Sequence, residues 1–470
     1  MNNWFKCSLS TFSLICLSIY LSLPVYAADY RAINKKIRLL ESEFKSLSSE
    51  FYQESSSYSD ETLKRITDIE QLLSSVEKLI NASNSIAAIQ LIYFNIETLN
   101  DNLDTKAIFK FINLLLDKNE WHLANTLFNS IKNEGDKSLL ATVQFIFAKY
   151  HAQRNEWPEV NKLLEGNFTE LSEENAAYAY LLNGSALQHR KKHRLAIKNY
   201  NKIKKSSQYY GYAQLNTAIA NIRQGWWTDA QTKIQNLLKL SKKTNQDELT
   251  NRLYLVLGYA LLQREFYRDA RDAFRHIGLK SRYTNRALLG IGLTATSQGD
   301  YVGGLNALTI LKNKKTFDLS VDESYLLVPY VYEKLQQEKS VTTTYTEGIN
   351  YYQRRIKKLE EISTQHADFK NLNYNQTTSS LIIQNNSFNF GNQYPEAFIR
   401  NFQRLNEFNH ATNNSKIKNK ISRLIIKFDS VYQNIIIGLA KQRKSFLKSY
   451  LNQSRYGLAR LYDKTNELSN

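Results

Sequence analysis

The chain has 470 residues and a formal net charge of +18, from 62 Lys and Arg against 44 Asp and Glu. Only four prolines, beside 30 tyrosines and 22 phenylalanines, argue for a mostly helical chain with ample core material and exclude long disordered tracts. The excess of positive charge favours acidic partners: anionic lipid headgroups or lipopolysaccharide, acidic proteins, or nucleic acid.

The first residues read as a secretory signal. Lys6 precedes an apolar run from Leu9 to Val25, and Val25-Tyr26-Ala27 then leads into Ala28-Asp29. That is a charged start, an apolar middle and a small-residue exit, with cleavage expected between Ala27 and Ala28. The middle is broken by serines and short for a membrane span; an uncleaved inner-membrane anchor is the alternative. Ser13-Leu14-Ile15 before Cys16 lacks the small residues of a lipoprotein signal. Both cysteines, Cys7 and Cys16, lie inside this segment, so the mature chain has none and excludes disulfides and thiol chemistry. Loss of Lys6 lowers the charge only from +18 to +17. The expected location is the bacterial periplasm, which makes nucleic acid the weakest of the three partners.

Residues 28–100 open with Ile33, Ile37, Leu40, Phe44, Leu47 and Phe51, alternating steps of four and three. Such a seam predicts a helix covered along one stripe. Ser55-Ser56-Ser57 interrupts it, and a second helix follows with Leu63, Ile66, Leu73, Val76 and Ile80 on one face, capped by Ser59 or Asp60. An antiparallel hairpin serving as a cap is the preferred reading, and an oligomerising coiled coil the alternative.

From residue 105 to 363 the pattern repeats. Phe109 to Leu116 with Trp121, Ala124, Phe128 and Ile131 forms one copy, starting near Thr105. Phe145 to Tyr150 with Trp157, Val160 and Leu164 forms the next, starting near Ala141. Four clearer copies span 177–311, beginning at Ala177, Gly211, Asn251 and Asn285; two of the three steps are 34 residues and the middle one carries six more. Position eight is small (Gly184, Ala218, Gly258, Gly292), as is position twenty (Ala196, Ala230, Ala270, Gly304). Position twenty-four is large and apolar (Tyr200, Ile234, Phe274, Leu308), and position twenty-seven is aliphatic (Ile203, Leu237, Ile277, Leu311). Small residues at a crossing let two helices approach, and large ones a turn later fill the gap to the next copy. A unit that cannot bury its apolar face alone must stack, giving a solenoid. A seventh, poorer copy runs from Tyr325 to Leu335 and into the helix after Ser340.

This pattern resembles the tetratricopeptide repeat. The copy from Asn251 matches best, with Tyr254, Leu257-Gly258, Leu261, Phe266-Tyr267, Ala270 and Phe274 in place. The family's proline near position thirty-two is absent; Gln208, Lys242, Arg282 and Thr316 stand there. The resemblance implies an all-α, right-handed superhelix, here flanked by helical hairpin or coiled-coil elements. It also implies that positions two, nine and thirteen line a concave, partner-binding groove. Those positions are Tyr178, Ser185 and His189; Tyr212, Ile219 and Arg223; Arg252, Tyr259 and Gln263; Arg286, Leu293 and Ser297. Tyrosine and arginine dominate binding hot spots, whereas Ile219 and Leu293 suit packing between copies.

Residues 364–394 are rich in Asn, Ser and Thr and read as a linker. The basic region 395–470 follows, with a helix from Pro395 to His410 and a long helix from Ser415. Its seam is Ile417, Ile421, Leu424, Phe428, Val431 and Ile435, continued by Leu447, Leu451, Leu458 and Leu461. The expected arrangement is a hairpin folded onto the last repeat, with membrane-surface binding by the basic face as the alternative. Residues 413–470 hold twelve Lys or Arg against Asp429, Asp463 and Glu467, a net of +9.

No catalytic constellation stands out: there is no Gly-x-Ser-x-Gly, His-Glu-x-x-His or phosphate loop. Glu173-Glu174 and Glu360-Glu361 are adjacent, hence about 100° apart on a helix, and read as solvated. His189 and His193 have metal-ligand spacing but are flanked by Arg190, Lys191, Lys192 and Arg194, which repel a cation. With Lys198, Lys202, Lys204 and Lys205 this stretch forms a basic patch of eight Lys or Arg within 17 positions. The expectation is a non-enzymatic periplasmic scaffold or adaptor, without cofactor or metal, that binds an acidic, extended protein segment in its groove and serves envelope assembly. A binder of anionic envelope polymer or lipid through its basic patches is the alternative. A helical accessory domain of a cell-wall enzyme is a third reading, disfavoured because no compact region is large enough for the enzyme.

Overall fold

The computed structural model describes residues 27–57, 64–134, 136–166, 168–243, 247–315, 318–364, 372–375, 380–390 and 393–469. The apolar stretch read as a signal therefore lies outside the described residues, as do Ser59, Asp60 and Leu63. Among the described residues no helix is long and apolar enough to cross a membrane. The chain divides into two compact units, one of Asn34–Ala220 with Tyr394–Val431, the other of Met1–Ile33, Asn221–Gln393 and Tyr432–Asn470.

The first unit is built on helix pairs. Helix α1 (Ala27–Ser57) enters it at Asn34. There follow α2 (Ile69–Asn81), α3 (Ser85–Phe94), α4 (Ile96–Asn100), α5 (Lys106–Asp117), α6 (Trp121–Glu134), α7 (Lys137–Ala152), α8 (Trp157–Leu163), α9 (Glu173–His189) and α10 (His193–Tyr200). Each repeat turns through one left-handed residue: Asn119, Asn155 and Lys191 have φ of 58°, 56° and 60°. The next backbone N–H reaches back to the carbonyl five residues earlier, as Glu120 to Leu115, Glu156 to His151 and Lys192 to Leu187, at 2.7–3.0 Å. This closure satisfies carbonyls that a helix end leaves open. Ser83, at φ 60°, turns α2 into α3 in the same way.

The seam of α1 is buried throughout, but its partner is not the helix that follows it. Phe51 stacks on Phe408 at 4.3 Å and Phe44 on the same ring at 6.1 Å. Phe408 belongs to α19 (Ala397–Ala411), and the final helix α20 (Ser415–Ser469) runs antiparallel to α1, tied by Lys420 to Glu50 and by Lys427 to Glu43 at 2.6 Å. The expected hairpin of residues 28–100 is thus replaced by a bundle of the chain's two ends. Helix α2 packs on α3 and α5 instead. The physical reason is that a 3.5-residue stripe specifies that a face is covered, not by what. Two phenylalanines one heptad apart need a broad apolar partner, which the Phe408 ring supplies.

The second unit continues with the end of α11 (Tyr210–Arg223), then α12 (Trp227–Lys243), α13 (Asp247–Gln263), α14 (Tyr267–Arg275), α15 (Thr284–Ser297), α16 (Tyr301–Lys312), α17 (Leu319–Lys334) and α18 (Glu338–Thr364). Its turns use Gly225, Glu265, Gly299 and Gln336, at φ 77°, 62°, 82° and 57°. The small-and-large code is visible at Phe274. A Cβ built on Gly258 of α13 would lie 2.5 Å from that ring, and so would one on Gly290 of α15. Consecutive first helices thus clasp one aromatic ring from the second helix between them.

Where a linker was expected, residues 373–389 carry a three-stranded antiparallel meander of β1 (Asn373–Asn375), β2 (Ser380–Ile383) and β3 (Asn386–Asn389). In its register Tyr374 faces Leu381, and Leu381 faces Phe388. Gln384 and Asn385 turn β2 into β3 with φ of 46° and 62°, the two-residue turn that matches strand twist. Leu381, Phe388 and Phe390 are buried, enough apolar anchorage to hold an otherwise polar segment.

From Tyr432 on, α20 closes this unit. It runs parallel to α17, with Arg443 on Asp322 (2.6 Å) and Arg460 on Glu333. It runs antiparallel to α18, with Lys444 near Glu360 (3.4 Å), Tyr450 near Tyr352 (5.9 Å between rings) and Gly457 against the Tyr345 ring. That is the place the first helix of a further repeat would take.

Candidate binding surface

The first helices of the repeats carry the residues singled out from the sequence. In the first unit, the Tyr178 ring stacks on Tyr209 at 4.7 Å and meets Phe145 edge-on at 5.9 Å. Burial, with Tyr209 beside it, raises its pKa. Tyr178 is thus largely a packing residue. His189 stacks on Trp157 at 4.3 Å, Ser185 donates to the Leu181 carbonyl at 2.8 Å, and Tyr212 is 47% exposed.

In the second unit, the Tyr259 hydroxyl donates to the Arg286 carbonyl at 2.9 Å, and the Arg286 guanidinium lies 5.5 Å above the same ring. These two join successive first helices, so they too are interior to the array. Arg223 and Gln263 are exposed and Arg252 half-buried. Neither Arg223 nor Arg252 meets a carboxylate within ion-pair distance among the described residues. Leu293 packs in the core around Leu288 and Leu308; Ser297 and, in the first unit, Ile219 are half-buried.

The basic patch sits at a turn. His189 ends α9 and His193 begins α10, with left-handed Lys191 between them. The two imidazoles therefore do not share one helical face. Among the described residues no group of three or more His, Cys, Asp or Glu is placed to hold a metal. Arg190, Lys191, Lys192, Arg194 and Lys198 are all exposed, and Arg190 donates to the Asn161 amide oxygen. Farther along, Lys202 lies 4.8 Å above the Tyr180 ring and Lys204 pairs with Glu173 at 3.2 Å.

A small cleft of about 270 Å³ opens between α12, α13 and α14. Gln231, Gln235, Asp269 and Asp272 ring it over a Tyr254–His276 stack of 4.5 Å. Residue patterns gave no sign of it, since it arises from the spacing of two second helices.

Two buried polar networks also escaped the sequence. In the first unit, Glu41 of α1 takes Arg154 at 3.0 Å, while Asn119 bonds Asn401 at 2.7 Å and Arg154 at 2.7 Å. Beside them Glu120 accepts from Ser48 at 2.5 Å and Tyr93 at 2.7 Å, and burial raises its pKa. In the second unit, fully buried Asp322 takes Arg443 at 2.6 Å and the Tyr351 hydroxyl at 2.6 Å, with Arg355 at 4.0 Å. Lone charged residues at helix-periodic positions read as solvated faces until the fold brings their partners.

No family model matches the chain, and no curated protein matches it. Among solved structures, RapI in its apo form is similar, with a TM-score of 0.46 and 14% identity over 77% of this chain and 97% of that one. A Rap protein in complex with competence and sporulation factor gives 0.31 and 12% over 76% and 99%. A signal-transduction ATPase with a tetratricopeptide repeat sensor from Pyrococcus horikoshii gives 0.36 and 12% over 88% and 65%. The helix pairs, their recurrent left-handed turns and the glycine–aromatic clasp decide the fold. The chain is a tetratricopeptide-like solenoid. Of the expected set, His189 and Tyr212 in the first unit and Arg223 and Gln263 in the second are exposed, and Arg252 is half-buried.

Proposed function

We propose that this tetratricopeptide-like protein is a non-enzymatic scaffold, exported to the periplasm, that binds an acidic, extended segment of a protein partner along the first helices of its repeats and serves envelope assembly. The observation that carries the reading is the pair Arg223 and Arg252. They occupy first helices of consecutive repeats and lack carboxylate partners among the described residues. A guanidinium pairs with carboxylate oxygens through a planar fork, so such a pair suits an acidic chain running across the repeats. Arg286 and Tyr259 hold neighbouring repeats together and belong to the support of that surface.

The test is a crosslinked pull-down from an envelope fraction with the wild-type chain and an Arg223→Ala/Arg252→Ala variant. A discrete protein captured by the wild type and at least tenfold depleted in the variant supports the reading. Equal capture by both moves the contact elsewhere on the surface, and capture of no envelope protein overturns the scaffold reading.

A further inference from the structure

Between Ser430 and Tyr462 helix α20 contains no acidic residue and six basic ones: Lys441, Arg443, Lys444, Lys448, Arg455 and Arg460. The fold sorts these six into two classes. Arg443, Lys444 and Arg460 face the solenoid, and each meets a carboxylate there: Asp322, Glu360 and Glu333. Lys441, Lys448 and Arg455 face outward, are exposed, and have no ion-pair partner among the described residues. They recur every seven residues, and seven residues return a helix to within about 20° of the same face. The next residue in that series is Tyr462, 57% exposed, and Tyr456, beside Arg455, is 71% exposed. The positions between them on the stripe, Ser445, Asn452 and Ala459, are small or uncharged and also exposed.

We propose that this outer face of α20, from Lys441 to Tyr462, docks the protein on an anionic lipid bilayer surface. A face that only keeps an end helix soluble mixes both signs of charge. This one has a single sign, with cations about 10 Å apart at 1.5 Å per residue, a row of about 20 Å that reaches about 30 Å at Tyr462. A row on the convex side of one helix offers a peptide no groove, but it lies flat against a plane of phosphates. The two tyrosines suit the same partner, since a phenol ring with an apolar body and a polar tip settles at the headgroup level. Each basic residue near an anionic bilayer strengthens attachment about fivefold, so three give about a hundredfold, and the attraction is screened by salt. This inference is independent of the partner-binding surface on the first helices.

The experiment is co-sedimentation of the full chain with phosphatidylcholine vesicles, with and without about a third phosphatidylglycerol. The comparison variants are Lys441→Ser/Lys448→Ser/Arg455→Ser, Tyr456→Ser and Arg223→Ala/Arg252→Ala, each first shown by circular dichroism to melt like the wild type. The wild type is expected to bind only the anionic vesicles and to release at about 0.5 M salt. The triple variant should bind about a hundredfold more weakly, Tyr456→Ser several-fold more weakly, and the first-helix variant like the wild type. Equal binding by the wild type and the triple variant, or no binding of the wild type to anionic vesicles, overturns the proposal. So does a triple variant that leaves vesicle binding intact but loses an acidic protein partner, which would assign the stripe to that partner instead.

Discussion

At position fifteen of each repeat the backbone adopts φ between 56° and 82°, a region where a Cβ crowds the following carbonyl. Gly225 and Gly299 meet this without strain, whereas Lys191 and Glu265 bear it. Gly299→Ala should therefore lower stability by about 1 kcal/mol, and Glu265→Gly should leave it unchanged or raise it. Thermal melts of the two variants check both signs. Phe274 is the other decisive residue, clasped by Gly258 and Gly290 and fully buried. Phe274→Ala removes a ring that two helices share and should cost about 3–5 kcal/mol in chemical denaturation. Gly290→Val should also destabilise, because the ring has no room to retreat from both sides. Gly258 was visible in the sequence as part of a periodic small position, whereas Gly290, two residues before the periodic Gly292, was not. The left-handed residues were not, since Asn119, Lys191, Glu265 and Gln336 share no side-chain type.

Helix ends and helix faces set the next scale. Asp300 caps α16: its carboxylate accepts from the Gly303 N–H at 2.9 Å and pairs with Arg271 at 2.6 Å. The Gly303 N–H first, and then Arg271, hold its pKa below the usual aspartate range. A depressed carboxylate adds stability that is present above the unfolded value of about 3.9 and is lost as pH falls through the folded one. Asp300→Asn keeps a capping oxygen but not the charge. The wild type should melt above this variant at pH 7, and the difference should shrink as pH falls below about 3.9. On α17, Asp322→Ala would leave Arg443 and Arg355 buried with their carboxylate removed, a change that costs about 3–5 kcal/mol. Loss of the Asp322 charge and of Arg443 together should cost less than the two single changes summed, which a double-mutant cycle measures. The heptad seams of α1 and α20 show the limit of reading faces. Their burial was legible, but their pairing with each other and with Phe408 was not, because the partners lie more than 350 residues apart in sequence.

For the chain as a whole, the repeats need ends. A solenoid exposes an apolar face at its last unit unless something covers it, and residues 432–460 pack on α17 and α18. Removing residues 432–470 should strip Tyr345 and Tyr352 of their cover, lower the melting temperature and promote association in sizing chromatography. Cutting after Asp463 should do neither. The same helix then presents its outer face, where the row Lys441, Lys448 and Arg455 stands apart from the three cations that the last repeat neutralises. Spacing alone would have revealed the row. Only the fold separates it from Arg443, Lys444 and Arg460.

The sequence by itself determined the repeat. Small residues at a crossing and large ones a turn later form a local code that recurs every 34 residues or so, and stacking makes each copy predict the next. Tertiary structure alone decided what each copy could still offer a partner. Of the tyrosines and arginines expected on the first helices, Tyr178, Tyr259 and Arg286 pack between repeats, while Arg223 and Arg252 keep theirs available. That difference depends on which neighbouring ring, carbonyl or carboxylate the fold brings within about 3 Å. It depends equally on the two ends of the chain, which bury charges such as Glu41 and Asp322 only because distant helices supply the opposite charge. A periodic pattern encodes which face is covered; the identity of the cover is a long-range fact that no local spacing contains.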